Sequence, residues 1–314
     1  MKPTKILVTG ANGQIGTVLT EKLREVHGKY NVLATDIHKL DGDHEPYQFL
    51  DILNPQRLRE ILADNDITQI YHLAAILSAN GEWNPMKTWN VNMNAFLNLL
   101  EAAKEFGIDK IFFPSTIAVF GMTTPQINTH QDVPLLPSTV YGMSKATGEL
   151  WCNYYHLKYG MDIRSLRYPG IIGWQSLPGG GTTDYAVEIY HEALKTKSYT
   201  SFLDKGTRLP MMYMDDAINA TIQLMEADAS KVKLRYGYNL ASMSFGPEEI
   251  AAEIQKHIPE FTIEYKPDYR QAIAESWTES IDDSKAREDW GWKPQYDLAS
   301  MTKDMLEHLK HLYI

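Results

Sequence analysis

Apolar positions in the first half of this chain follow two alternating periods. Short runs rich in β-branched and aliphatic residues, each predicted to be a strand, fall at Lys5–Thr9, Asn31–Asp36, Gln69–Leu73, Lys110–Pro114 and Asp162–Tyr168. Between them Gln14–Val26, Pro55–Ala63, Trp89–Phe106 and Tyr141–Tyr159 carry helical spacing. Val91, Ala95, Leu99, Ala102 and Ala103, for example, recur at three- and four-residue steps. Strand and helix in alternation imply right-handed crossovers, and so an α/β fold with a doubly wound parallel sheet covered on both faces.

Beyond Tyr168 the pattern changes. A loop rich in glycine and threonine, Leu177–Thr183, leads into a predicted helix over Asp184–Leu194. A strand at Leu209–Tyr213 and a helix over Asp215–Met225 read as a return to the sheet domain. The last third mixes short elements: Tyr236–Asn239, a helix opened by Pro247, Phe261–Tyr265, a strand at Ser276–Ile281, and helices over Ser284–Trp290 and Leu298–His311.

With 314 residues, 44% of them hydrophobic and 22% charged, a sizeable core is expected in one large domain or two interwoven ones. A net charge of −10 argues against nucleic acid or an anionic membrane as main partner. The single cysteine, Cys152, excludes an internal disulfide and suits a reducing compartment. No apolar run approaches the ~20 residues of a spanning helix. The first strand begins after four residues, leaving no room for a signal or transit peptide, so a cytoplasmic protein is expected. No His, Cys and carboxylate cluster has metal-ligand spacing, and no metal is expected.

The first strand runs into Gly10-Ala11-Asn12-Gly13-Gln14-Ile15-Gly16, which opens a helix. Such a turn presents backbone N–H groups and the positive end of a helix dipole to a pyrophosphate. Glycine is needed there because a Cβ would block the approach of phosphate or of helix to sheet. The spacing is G-x-x-G-x-x-G rather than the commoner G-x-G-x-x-G, and its position between strand and helix gives it meaning. Asp36 ends the next strand 20 residues after Gly16, the offset of a carboxylate that binds the adenosine ribose. It would repel a 2′-phosphate, which selects NAD over NADP. Asp51-Ile52 is placed near the adenine, and Leu73-Ala74-Ala75 would let the adenosine half lie against backbone. His72 reads as a packed strand histidine. The expected architecture is therefore a Rossmann dinucleotide-binding domain over residues 1–170, rejoined by 209–240. Residues 171–314 form mainly a smaller, interwoven α+β substrate-binding domain.

The run Tyr141-Gly142-Met143-Ser144-Lys145 carries the candidate chemistry. On a helix, i and i+4 share a face, so the Lys145 ammonium is expected beside the Tyr141 phenol. A phenol with a pKa near ~10 is a poor base, and a neighbouring cation favours its phenolate. Thr116, after the strand that ends at Pro114, offers a hydroxyl to hold a substrate oxygen.

With these motifs the chain resembles the extended short-chain dehydrogenase/reductase family, nearly to its end at Asp283–Arg287 and Gly291–Pro294. That resemblance implies that Tyr141 is the acid/base, and that Lys145 also binds the nicotinamide ribose. It implies too that Thr116 takes the place of the usual serine, Asn90 supports the active-site helix bend, and Tyr168-Pro169 borders the nicotinamide. Within the family, Arg167–Trp174, Gly179–Ala186, Leu209–Asp216 and Glu275-Ser276-Trp277 are similar to the signature of short-chain-type L-threonine 3-dehydrogenases. The resemblance implies oxidation of the threonine β-hydroxyl to 2-amino-3-oxobutanoate. Gly180, Thr182, Thr183, Ser78 and Trp277 are the expected substrate contacts, and a homodimer formed through the helix that bears Tyr141 is implied. Trp89, Phe96, Trp151 and Tyr154 are either part of that interface or core. Two other functions fit parts of the pattern: a nucleotide-sugar epimerase or dehydratase, in which Arg208 would meet a diphosphate, and a non-catalytic NAD sensor.

Overall fold

The structure is a computed structural model that describes residues 3–39, 44–179 and 181–313. Its strands are β1 (Ile6–Thr9), β2 (Val32–Asp36), β3 (Tyr47–Phe49), β4 (Gln69–His72), β5 (Lys110–Thr116), β6 (Ile163–Tyr168), β7 (Gly170–Ile172), β8 (Ser198–Ser201), β9 (Leu209–Tyr213), β10 (Gly237–Asn239), β11 (Met243–Phe245) and β12 (Thr262–Tyr265). Seven of them form one sheet in the order β10-β6-β5-β4-β1-β2-β3, and every neighbouring pair is parallel. The chain winds outward from β1 in one direction and from β4 in the other. The crevice between these two strands' carboxyl ends is where such sheets bind ligands.

The helices fall into place by their apolar faces. Helices α1 (Gln14–His27), α2 (Pro55–Asp64), α3 (Ser78–Gly81), α4 (Pro85–Trp89), α5 (Ala95–Phe106), α6 (Val140–Tyr159), α7 (Tyr185–Lys195) and α8 (Met214–Glu226) are followed by α9 (Pro247–Gln255), α10 (Tyr269–Glu275), α11 (Ser284–Trp290) and α12 (Leu298–Leu309). Leu19 and Leu23 of α1, Ile218 of α8 and Trp290 of α11 bury against one face of the large sheet. Leu58 of α2, Phe96 and Leu99 of α5, and Cys152 and Tyr155 of α6 cover the other. A third cluster holds the smaller lobe, built from β7, β9, α7, α9 and α12. Local signals set the ends. Asn54 caps α2 by accepting from Arg57 N at 3.0 Å, with Pro55 at the first helical position. Helix α6 ends at Gly160, whose φ of +70° is the left-handed region glycine favours.

Three elements differ from the sequence expectation. The strand Leu209–Tyr213 joins β7 and β11 in a separate three-stranded sheet rather than the large one. The place beside β6 is filled by β10, with Gly237 opposite Ser165, while α8 packs back onto the large sheet beside α1. The stretch Glu275–Trp277 is the end of α10 and a turn, in which Trp277 N donates to Ala274 O at 3.0 Å; Ile281 alone bridges Thr129. The helix expected over Trp89–Phe106 is interrupted by a π-helical turn, Asn90–Asn94. Such turns insert an extra residue and re-aim side chains.

Candidate active site

At the end of β1 the chain turns at Gly10, with φ +71°, and enters α1 at Gly13. A Cβ on Gly10 would lie 2.6 Å from Ala74 N, and one on Gly16 only 2.2 Å from Gly10 O. Neither neighbour can yield, because both are backbone. The N-terminus of α1 has no side-chain cap and no acidic residue in its first turn, so its N–H groups and dipole face the crevice uncompensated. Asp36, ending β2, accepts from Asn12 N and His38 N, each at 3.1 Å. Its side chain stands on the wall of a cavity of about 400 Å³ with Asp51, Ile52, Leu73, Ala74 and Ala75, and Gly10 and Gly13 close its inner side.

Gly10 and Gly13 also open onto a second cleft of about 230 Å³. Gln14, Ile15 and Gly16 line it near the turn, and Tyr168 and Pro169 further in. Ser78, Thr116, Tyr141, Lys145, Thr182, Thr183, Asp184 and Trp277 are also part of its wall. Thr139 caps α6 by accepting from Gly142 N at 3.1 Å. A Cβ on Gly142 would meet Ala118 O at 2.1 Å. The first turn of α6 therefore lies directly on the turn after β5, and this brings Tyr141 beside Thr116.

Electrostatics here are governed by burial. The Tyr141 phenol is pushed up to about 12 by loss of solvent, with a hydrogen bond to Thr116 pulling the other way. The Lys145 ammonium is pushed down to about 7 by the same burial. It lies 5.8 Å from the Tyr141 ring centroid and donates to Pro114 O at 2.8 Å. The sequence predicts that Lys145 lowers the phenol; in this cleft desolvation is the largest influence on each group and shifts both toward neutrality. Thr182 and Trp277 are 1% and 5% exposed, yet among the described residues Thr182 Oγ1 and Trp277 Nε1 have no hydrogen-bond partner. Of the buried polar atoms without a partner, these two belong to residues lining the cleft, where a polar ligand would pair them.

Of the residues singled out from sequence, Gly180 lies outside the described residues. Asn90 is a correction: its side chain is exposed, accepts from Asn94 Nδ2 at 2.8 Å and lines neither cavity. The buried asparagine of that turn is Asn92, which accepts from Ile76 N at 2.8 Å and donates to Ser144 Oγ at 3.2 Å. Asn92 thereby ties the strand-end segment after β4 to the helix that carries Tyr141. The π turn that aims it there has no signal in the hydrophobic pattern, which predicts an unbroken helix. His72 is a packed strand residue, bonded to Thr9 Oγ1 at 2.9 Å, stacked on Phe96, and kept neutral by burial that lowers its pKa to about 3. Lys87, on the wall of the Asp36 cavity, was not foreseen. Arg208 sits away from the cleft, paired with Glu249 at 2.5 Å.

Residues 6–241 match the NAD dependent epimerase/dehydratase family. The chain belongs to that family. It is 50% identical over 311 residues to an uncharacterised epimerase/dehydratase of Staphylococcus aureus (strain USA300), covering 98% of this chain and 97% of the relative. Among solved structures it is similar to a GalE-like L-threonine dehydrogenase from Cupriavidus necator in its holo form, with 52% identity, 98% and 100% of the two chains covered, and a TM-score of 0.95. It is likewise similar to the L-threonine dehydrogenase of Clostridium difficile, with 48% identity over the whole of both chains and a TM-score of 0.96. The chain is an NAD-dependent oxidoreductase of this family. The uncapped α1 N-terminus and the cavities that open beside Gly10 and Gly13 fit the dinucleotide's pyrophosphate.

Proposed function

We infer that this protein is an NAD-dependent L-threonine 3-dehydrogenase, oxidising the β-hydroxyl to give 2-amino-3-oxobutanoate. The observation that carries the reading is the wall of the cleft, where two buried donors without a partner among the described residues, Thr182 Oγ1 and Trp277 Nε1, stand with Tyr141 and Thr116. A small zwitterion satisfies such donors with its carboxylate. The solved L-threonine dehydrogenases covering nearly the whole chain support the same substrate.

Gly10, Gly13 and the α1 N-terminus would hold the pyrophosphate, Asp36 the adenosine ribose, Asp51 and Ile52 the adenine, and Tyr168 and Pro169 the nicotinamide side. NAD, when bound, supplies the two-electron acceptor and a cationic ring that favours anions nearby. Tyr141, as phenolate, takes the hydroxyl proton of the substrate and becomes the neutral phenol, Thr116 holds that oxygen, and Lys145 stabilises the phenolate before the transfer. Ser78 and Thr183 add hydroxyl contacts around the amino acid.

The sugar-nucleotide reading finds less support. Among the described residues the wall of the cleft carries Lys145 as its one cation, and Arg208 is engaged elsewhere, so a diphosphate has no clamp. The reading extends to a homodimer joined through α5 and α6, working in threonine catabolism in the cytoplasm. Met143, Leu150, Tyr154 and Leu157 on α6 are exposed apolar groups that a partner would cover. Phe96 is core.

The test is NADH formation at 340 nm with NAD and L-threonine, alongside NADP, L-serine, L-allo-threonine and UDP-sugars. Production with L-threonine and NAD is expected, and Asp36→Ser should raise the NADP rate relative to the NAD rate. Conversion of a UDP-sugar with silence on threonine would move the protein to the epimerase reading.

A further inference from the structure

Trp277 belongs to two cavities. Besides the cleft that holds Tyr141, it lines a separate polar cavity of about 310 Å³ on the smaller lobe. Trp277 is 5% exposed and is a lining residue common to both. Among the described residues Trp277 Nε1 has no hydrogen-bond partner, so a swing of the ring would break no polar contact with them. It sits on the turn that follows α10, where side-chain rearrangement does not break a helix or sheet.

The chemistry of the second cavity matches an amino acid. Its lining carries both signs: Arg208, together with Asp204, Glu275 and Glu279. Arg208 is already paired with Glu249, and Glu275 accepts from Gln271 Nε2 at 2.9 Å, so the rim offers weak contacts to a zwitterion rather than a tight site. The first cleft leads from the glycine turn inward to Thr182 and Trp277. A cofactor seated on Gly10 and Tyr168 occupies the approach to that inner end.

We propose that the cavity beside Trp277 is a vestibule through which the α-amino-acid substrate enters and its β-keto product leaves, past the Trp277 indole, while the cofactor remains in the cleft. This rests on the threonine dehydrogenase reading for its substrate, and on the shared wall for its route.

Gly206 offers a clean test. It lies on the vestibule wall, its φ is outside the left-handed region, and a Cβ built there meets nothing within 4 Å. Gly206→Phe therefore adds a ring at the vestibule wall without a clash at Cβ or backbone strain, and Gly206→Ala serves as control. The expected result is a fall of at least about tenfold in kcat/KM for L-threonine with Gly206→Phe, NAD affinity within about twofold of wild type, and near-normal turnover in Gly206→Ala. Wild-type turnover by Gly206→Phe overturns the route. Independently of turnover, acrylamide quenching of the Trp277 component is read in NAD-loaded protein as the difference between Gly206 and Gly206→Phe chains, each against its Trp277→Phe partner. Quenching that drops at least about twofold on plugging supports the vestibule, and unchanged quenching overturns it. A wild type that ignores L-threonine refutes the substrate reading by itself, and the quenching comparison then decides the route.

Discussion

At the residue scale the candidate chemistry depends on what burial does to two ionisable groups. Tyr141→Phe removes the proton acceptor and nothing else, so kcat should fall by about 10²–10⁴-fold while NAD affinity is nearly kept; near-normal turnover would remove Tyr141 from its role. Lys145 ties the site to stability. Its folded pKa of about 7 lies below the 10.5 of an exposed lysine, so the unfolded chain binds more protons between those values. The cost of burying the cation is in full force below pH 7 and is relieved as pH rises through that window, by up to about 1.4 kcal/mol per unit. Urea unfolding of cofactor-free protein should show the wild type gaining stability over Lys145→Met between pH 7 and 9, and parallel pH dependences would contradict the burial. The Tyr-x-x-x-Lys pair was legible because helical spacing is local. The direction of its pKa shifts was not, because desolvation comes from residues distant in sequence.

Individual elements are locked to each other by a buried polar network at the far side of the Tyr141 helix. Glu149 of α6 pairs with Arg167 of β6 at 2.8 Å, and both side chains are almost wholly buried. Ser115 of β5 donates to the same carboxylate, and Arg167 donates to Asn239 Oδ1 of β10 and to Gln131 O, each at 3.0 Å. Helix and three strands thus share one charge pair, which fixes how α6 sits on the sheet. Arg167→Met leaves the Glu149 carboxylate buried without its cation and should cost about 3–5 kcal/mol, measured by denaturant unfolding. Adding Glu149→Met should recover much of it, and a double variant as unstable as the single one would show that the network acts otherwise. Sequence pattern identified α6 and β6 as elements. It gave no hint that Glu149 and Arg167 meet, nor that Asn92 reaches Ser144, since each contact depends on how two elements pack.

For the whole molecule, the strand order about β1 and β4 decides where everything converges. The crevice is made where successive crossovers part in opposite directions, and the smaller lobe closes it with Thr182 and Trp277, some forty and a hundred and forty residues after Tyr141. The outer face of α6 remains open, with Leu150 and Leu157 at 69% and 75% exposure. Leu157→Glu should convert a dimer to a monomer in sedimentation equilibrium; a wild type that is itself monomeric would discard the proposed interface.

What the sequence determined by itself was what short-range geometry controls: the glycine turn between strand and helix, the carboxylate at the end of the next strand, the i and i+4 pair on one helix, and the alternation that makes a parallel sheet. Each is set by a few neighbouring backbone angles, so the residues alone specify it. The tertiary structure decided the rest. It moved Leu209–Tyr213 to a second sheet, made Trp277 a turn residue shared by two cavities, exchanged Asn90 for Asn92, and drove Tyr141 and Lys145 toward neutrality. Those outcomes depend on which surfaces exclude water together, and that is a property of the packed chain rather than of any segment.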